Sequence, residues 1–297
     1  MTLDETWGSN VVIAFRGAMK VIAAGVLFAV MSAGVKVVSA SQPSTVIVFC
    51  RNGFALLALL PWIGWRGRSA IQTRVLRFHL LRAIAGLAAM YCFFHTIGQL
   101  QLADAVLLNY TLPLFMPLIA WAWLKEELTR PVVVAVILGF IGVIFVVKPT
   151  AGVIQVSAFI GLTAGVLGAL AQVAIRRLTR TEPVTRVVFY FSLVSTVCSA
   201  ILVPWAKLSI RSHELLILAG IGLLAALAQM LLTAGYATGS AGSVGPFIYS
   251  SIVCAGLFDW LFWQHAPDLA SVVGTLLICL GGIVVMRASA RNVPVRP

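Results

Sequence analysis

Long apolar runs separated by short polar connections are the main pattern along this chain. An α-helix rises about 1.5 Å per residue, so roughly 20 apolar residues cross the hydrocarbon core of a bilayer. Ten runs have about this length and predict ten transmembrane helices, named spans 1 to 10. The predicted spans are 18–38, 45–65, 78–98, 103–123, 131–147, 157–176, 187–206, 214–236, 243–263 and 269–286.

Composition agrees with a chain surrounded by lipid. Hydrophobic residues make up 61% of the 297 residues and charged residues 10%, whereas a soluble domain carries about 25% charge. The predicted fold class is therefore all-α integral membrane. The start of span 1 also resembles a signal peptide, with Arg16 and Lys20 before the apolar run and Val38-Ser39-Ala40 after it. A helix is favoured, because cleavage would remove a span that has a counterpart in the second half.

The distribution of positive charge predicts the orientation. Of the 21 lysines and arginines, 16 fall on the side of the N-terminus, four on the other side, and Arg51 within a span. Both termini are therefore expected in the cytoplasm, in a multi-pass protein of the inner membrane. The formal charge of +12 forms no aromatic-basic patch, so no nucleic-acid partner is expected.

The chain contains an internal repeat at an offset near 140 residues. Gly25 matches Gly165 and Pro43 matches Pro183, and each half holds five spans. An odd number of spans places the second copy upside down, which gives two inverted five-helix repeats, an architecture used for alternating access. The predicted parts are a cytoplasmic segment 1–17, repeats 18–148 and 157–286, and a cytoplasmic tail 287–297.

Motifs for covalent or ATP-driven chemistry are missing from the sequence. No lysine is followed by Ser or Thr as in a P-loop, and neither Gly-x-Ser-x-Gly nor His-Glu-x-x-His occurs. The five cysteines lie singly in apolar runs and are interpreted as small hydrophobic residues. We therefore expect no enzyme activity, cofactor, metal or ATPase partner; the sequence leaves the oligomeric state open.

Several stretches resemble one family. They are Ala103-Asp104-Ala105-Val106-Leu107-Leu108, Pro113-Leu114-Phe115, Glu127-Leu128-Thr129 and Gly142-Val143. With ten short-looped spans, the chain resembles the EamA-type branch of the drug/metabolite transporter superfamily, and within it the aromatic amino acid exporters. The resemblance implies export of amino acids, related metabolites or lipophilic drugs. It also implies a cavity between spans 1–4 and 6–9.

Polar residues inside the spans are the candidate binding groups, since each charge at the membrane centre costs about 2.5–3.5 kcal/mol. Tyr91 and His95 share one face of span 3, either toward a cavity or toward a neighbouring helix. Proline interrupts the hydrogen bonding of spans 4 and 9, for a site or for packing only. The candidate cavity residues are Tyr91, His95, Gln99, Asn109, Tyr110, Gln172, Gln229, Tyr249 and Arg51, and the candidate kinks are Pro113, Pro117 and Pro246.

Arg51 has three possible roles in span 2. It pairs with Asp104 or Asp259 as a gate, extends outward to water, or contacts a substrate carboxylate; Asp104 is also the simplest N-cap of span 4. Glu127 is either an inner gate or part of a solvated loop. The predicted function is export of small metabolites, above all hydrophobic or aromatic amino acids. The alternatives are a multidrug exporter for organic cations and a nucleotide-sugar or phosphometabolite antiporter.

Overall fold

The computed structural model describes residues 3–67, 71–124, 128–147, 156–179, 181–203, 210–238 and 245–291. They fold into α-helices and one 3-10 helix, named η1. The helices are α1 Leu3–Val38, α2 Ser44–Arg66, α3 Leu76–Gln99, α4 Leu102–Asn109, α5 Leu112–Leu124, α6 Arg130–Val147, α7 Val156–Leu178, α8 Val184–Ala200, α9 Ser212–Thr238, η1 Gly245–Tyr249, α10 Ser250–Trp263 and α11 Leu269–Arg291.

Each of the ten predicted spans contains a helix in its described residues. Span 4 is divided into α4 and α5, and span 9 into η1 and α10. Within the described parts, six helical stretches have the length and apolar composition to cross a membrane, and four shorter apolar helices accompany them. Helices satisfy their own backbone hydrogen bonds, which lipid cannot do. The predicted all-α membrane fold is confirmed.

The turn before α2 and the turn before α8 are copies of each other. Pro43 stands before α2 with φ −68° and ψ 152°, and Pro183 stands before α8 with φ −67° and ψ 147°. In both turns the residue before the proline donates its backbone N–H to the carbonyl four residues earlier, at 2.9 Å and 2.8 Å. Repetition of a turn at this level of detail supports the repeat seen in the sequence.

Helix packing shows that the two repeats are exchanged by a pseudo-two-fold axis. The pair α1–α9 corresponds to α7–α3, and α2–α9 corresponds to α8–α3; all four pairs are packed together. Two further packed pairs, α2–α8 and α6–α11, correspond to themselves and therefore cross at the axis. For repeats of five spans this axis lies in the membrane plane, as in inverted-repeat transporters.

Candidate functional site

Span 4 is interrupted close to Pro113. Helix α4 ends at Asn109 and α5 begins three residues later, because Pro113 has no N–H with which to continue the helix. Thr111 occupies the gap: its hydroxyl donates to the carbonyl of Leu108 at 2.6 Å, and its own carbonyl accepts from the N–H of Leu114 at 2.8 Å. Sequence predicted a kink here; the structure shows a full break.

The break in span 4 contacts the break in span 9. Pro246 lies in the 3-10 helix η1, a tighter winding often found where helices bend or move. The hydroxyl of Tyr110, at the end of α4, lies close to the side chain of Ser251 in the first turn of α10, and α4 packs against α10. The two irregular stretches are thus joined inside the bundle.

Matched glycines allow a helix from the opposite repeat to press against each break. A β-carbon on Gly25 of α1 would collide with the hydroxyl of Ser250 beside the span 9 break. A β-carbon on Gly165 of α7 would lie 2.5 Å from Oγ1 of Thr111 in the span 4 break. The glycine pair recognised in the sequence therefore has one structural role, repeated by the pseudo-symmetry.

A pair of buried arginines lies between α2, α3 and α8. Arg51 of α2 is 3% exposed and Arg82 of α3 is 6% exposed. Both guanidinium groups lie over the ring of Phe191 in α8, with their carbons 5.5 Å and 4.0 Å from its centroid. These distances are within cation–π range, so one aromatic ring holds two positive charges.

Few polar groups of the described residues contact this pair. Arg51 Nη1 donates to Oδ1 of Asn52 at 2.7 Å, and neither arginine forms an ion pair with a carboxylate of the described residues. The Nε atoms of Arg51 and Arg82 and the hydroxyl of Ser195 are buried without a hydrogen-bond partner there. Arg82 folds over Gly86, where a β-carbon would collide with its Nη1.

The arginine pair lies close to the pseudo-two-fold axis. Arg51 is the eighth residue of α2 and Phe191 is the eighth residue of α8, so the two positions correspond under the repeat. A residue in contact with its own counterpart must lie near the axis that exchanges them. The cluster is therefore placed near mid-depth in the membrane, where inverted-repeat transporters bind their substrates.

Carboxylates tie the bundle together at both of its ends. At one end Glu214, in the first turn of α9, accepts hydrogen bonds from the Ser41 hydroxyl at 2.6 Å and Gln42 Nε2 at 2.9 Å. At the other end Glu182, between α7 and α8, accepts from the Thr73 hydroxyl at 2.7 Å and Arg186 Nη1 at 2.6 Å. Each tie joins a connection of one repeat to a helix or connection of the other.

Asp259 forms a further tie near the Glu214 end. Its buried carboxylate accepts the N–H of Ala103 at 2.8 Å, in the first turn of α4, and lies 3.4 Å from Nδ1 of His265. Lys36 lies close enough to interact electrostatically with Asp259, and its Nζ donates to the carbonyls of Ile97 and Leu100. Asp259 is thus a contact between repeats, joining α10 to α4.

The structure changes the interpretation of Arg51 and Asp104. Arg51 is too buried to extend to water, and it pairs with neither Asp104 nor Asp259. Asp104 is not the N-cap of α4; that position belongs to Gln101, and Asp104 lies within the first turn. Arg51 instead lies over the ring of Phe191 and donates to Asn52.

The other candidate residues are distributed over several surfaces. On α3, His95 and Gln99 are exposed on one face, while the half-buried Tyr91 has a buried hydroxyl without a hydrogen-bond partner in the described part of the chain. Tyr249 places its hydroxyl against Gly282 of α11. The half-buried candidates are Asn109, Gln172 and Gln229; Pro117 lies inside α5; and Glu127 is outside the described residues.

Arg82 is the functional candidate that sequence reasoning missed. It was counted with the charges of the cytoplasmic side, although it lies inside the predicted span 78–98. The signal was its position as the fifth residue of that span, one helical turn before Gly86. Without Arg82 the loop count is 15 against four, so the predicted orientation stays the same.

Comparison with known proteins gives a consistent result. The family model described as "EamA-like transporter family" matches residues 15–148 and again residues 155–287. The pseudopaline exporter CntI of Pseudomonas aeruginosa is 31% identical over 274 residues, which cover 91% of this chain and 96% of that protein. A crystal structure with 19% identity has a TM-score of 0.62 and covers 96% of this chain and 98% of its own, which shows likeness of fold.

Two further relatives are named for other solutes. A riboflavin transporter of Vibrio cholerae is 24% identical, covering 89% of this chain and 91% of that protein. An S-adenosylmethionine uptake transporter of Rickettsia conorii is 22% identical, covering 78% of this chain and 79% of that protein. Similar chains thus carry chemically different metabolites.

Proposed function

Since this chain belongs to the EamA-like transporter family, we propose that it exports small organic metabolites, amino acids and related molecules among them, by alternating access. Repeats 18–148 and 157–286 rock against each other around a central site, without ATP hydrolysis. The protein lies in the inner membrane with both termini in the cytoplasm, as the excess of lysine and arginine on that side supports.

The observation that carries this proposal is the contact between the two broken spans. Tyr110 at the break of span 4 lies close to Ser251 at the break of span 9. A break whose free carbonyl is bonded by a hydroxyl, as Thr111 does for Leu108, is a place where a helix can change direction at low cost. The ties of Glu214 and Glu182 close the two ends of the bundle. Opening one tie while the other holds gives access to one side of the membrane at a time.

Export is favoured over uptake by the relative at 31% identity, which is named an exporter. Hydrophobic and aromatic amino acids remain our first substrates to test, with Tyr91, His95 and Tyr110 as contacts. The organic-cation alternative is weaker, because the carboxylate of Asp259 is already bound to α4. The alternative of an anionic phosphometabolite gains support from the second buried arginine.

Flux through purified protein in liposomes tests the proposal. Vesicles are loaded with radiolabelled amino acids, nucleotide sugars or organic cations, and efflux is measured with and without a pH gradient. We expect saturable efflux that falls in Y110F, whereas L216A, on an exposed position of α9, serves as a control. Absence of flux for all solutes in protein that retains its helical signal would overturn the proposal, and unchanged flux in Y91F and H95Q would remove those two residues from the site.

A further inference from the structure

We infer that Arg51 and Arg82 form a binding site for the carboxylate group of the transported solute. The inference rests on the proposed function and adds to it the chemical class of the substrate. It concerns the cluster of the two arginines, Phe191, Asn52 and Ser195.

The charge of this cluster calls for a negative partner. Both guanidinium groups stay protonated in a protein, and both are buried within a span. Arg186 differs from these two arginines because it forms an ion pair: its Nη1 lies 2.6 Å from the carboxylate of Glu182. Ionisable groups inside a membrane are retained where they pair with each other or bind what is transported. No carboxylate of the described residues contacts Arg51 or Arg82, so the transported solute supplies the negative partner.

The geometry leaves the right donors for a carboxylate. Phe191 orients both guanidinium groups, and Asn52 occupies one nitrogen of Arg51. The Nε–H groups of Arg51 and Arg82 remain without a partner in the described chain, as does the hydroxyl of Ser195 one turn beyond Phe191. An arginine binds a planar carboxylate through two parallel N–H groups, and Nε–H is one of the edge donors used in this way.

Location adds a second, independent argument. Arg51 contacts Phe191, its own counterpart under the repeat, so the cluster lies near the axis that exchanges the two halves. A group bound there is equally far from both ends of the bundle, which is the position a carried solute must occupy. Gly86 lies beside this cluster as well, since a β-carbon on it would meet Arg82 Nη1 and, at 3.0 Å, the ring of Phe191.

Ligand-dependent melting of the purified full-length protein tests the site. The probes are succinate, its neutral analogue succinamide, phenylalanine, glycerol phosphate and tetraethylammonium. The variants are R51Q, R82Q and the charge-preserving R82K. The chain offers a matched control: Arg77 and Arg177 also lie over one ring, that of Phe78, but both are exposed, so R77Q and R177Q lose the same kind of contact outside the cluster.

We expect carboxylates to raise the melting temperature of the wild type and the controls, with binding about tenfold or more weaker in R51Q and R82Q and partly retained in R82K. Stabilisation by glycerol phosphate alone would assign the site to phosphate and overturn the inference. Equal stabilisation by succinamide, or unchanged binding in both glutamine variants, would also overturn it.

Flux separates this inference from the proposed function. Efflux of carboxylate solutes that is unchanged in R51Q and R82Q would refute the arginine site and leave the transporter standing. Carboxylate binding without flux of any solute would refute transport and leave the site standing.

Discussion

Gln42 and Glu182 occupy corresponding positions in the two repeats, and each takes part in a tie at its own end of the bundle. Gln42 donates to Glu214 at 2.9 Å, whereas Glu182 accepts from Thr73 at 2.7 Å. The carboxylate is thus on the long helix at one end and on the connection at the other. Both ties are formed together, so described residues of the two repeats are hydrogen-bonded to each other at both ends of the bundle.

The Glu214 tie predicts a selective opening of one end. In E214Q the acceptor of three hydrogen bonds, from Ser41, Gln42 and the Arg211 N–H, loses its charge, and charged acceptors bind more strongly than neutral ones. Amide hydrogen exchange in residues 39–46 should speed up about tenfold. The same amides should be unchanged in E182Q, and an equal effect of both variants would contradict independent ends.

The Glu182 tie predicts a pH dependence of stability. Burial raises the pKa of Glu182, but hydrogen bonds from Thr73 and Arg186 outweigh it and hold the pKa below its ordinary value of 4.5. A carboxyl with a lowered pKa stabilises the fold fully above about pH 4.5, and this contribution is lost as pH falls through the folded-state pKa. Melting temperatures of the wild type and E182Q should therefore converge as pH falls from 6 to 3.

A second variant of the same tie checks the cause. T73V removes one of the hydrogen bonds that lower the pKa of Glu182, so its loss of stability should begin at a higher pH than in the wild type. A constant difference between wild type and E182Q over the whole range would show that the charge of Glu182 contributes nothing to folding.

The features of this fold that the sequence predicts are mainly those that a lipid bilayer requires of a helix. Apolar length located all ten spans, because a helix in a bilayer must be long and apolar along its whole course. The repeat could be read from Pro43 and Pro183 because a turn needs particular residues at particular places. Neither the apolar length of the spans nor the repeated proline turns indicates which helices pack against each other. The contact of Arg51 with Phe191 follows from the crossing of α2 and α8, which no periodicity within one span reveals.

The joined breaks predict an energetic coupling between two hydroxyl groups. Y110F and S251A each remove one of two neighbouring hydroxyl groups, at the end of α4 and the start of α10, so each should reduce flux, and the double variant should be hardly worse than either alone. A neutral hydrogen bond contributes about 0.5–1.5 kcal/mol, which a double-mutant cycle on melting temperature detects. Additive losses would show that the two hydroxyls act separately.

Matched glycines give the sharpest stability prediction. G25A and G165A place a β-carbon against Ser250 and Thr111 at the two breaks, and such overpacking costs about 1–3 kcal/mol. G53A and G220A, also within helices, meet nothing within 4 Å, and replacing a helical glycine by alanine stabilises by about 0.5–1 kcal/mol. Thermal unfolding in detergent should therefore shift downward for the first pair and upward for the second. A uniform shift of all four variants would mean that α1 and α7 do not press against the breaks, and the structural equivalence of the two repeats at the site would fail.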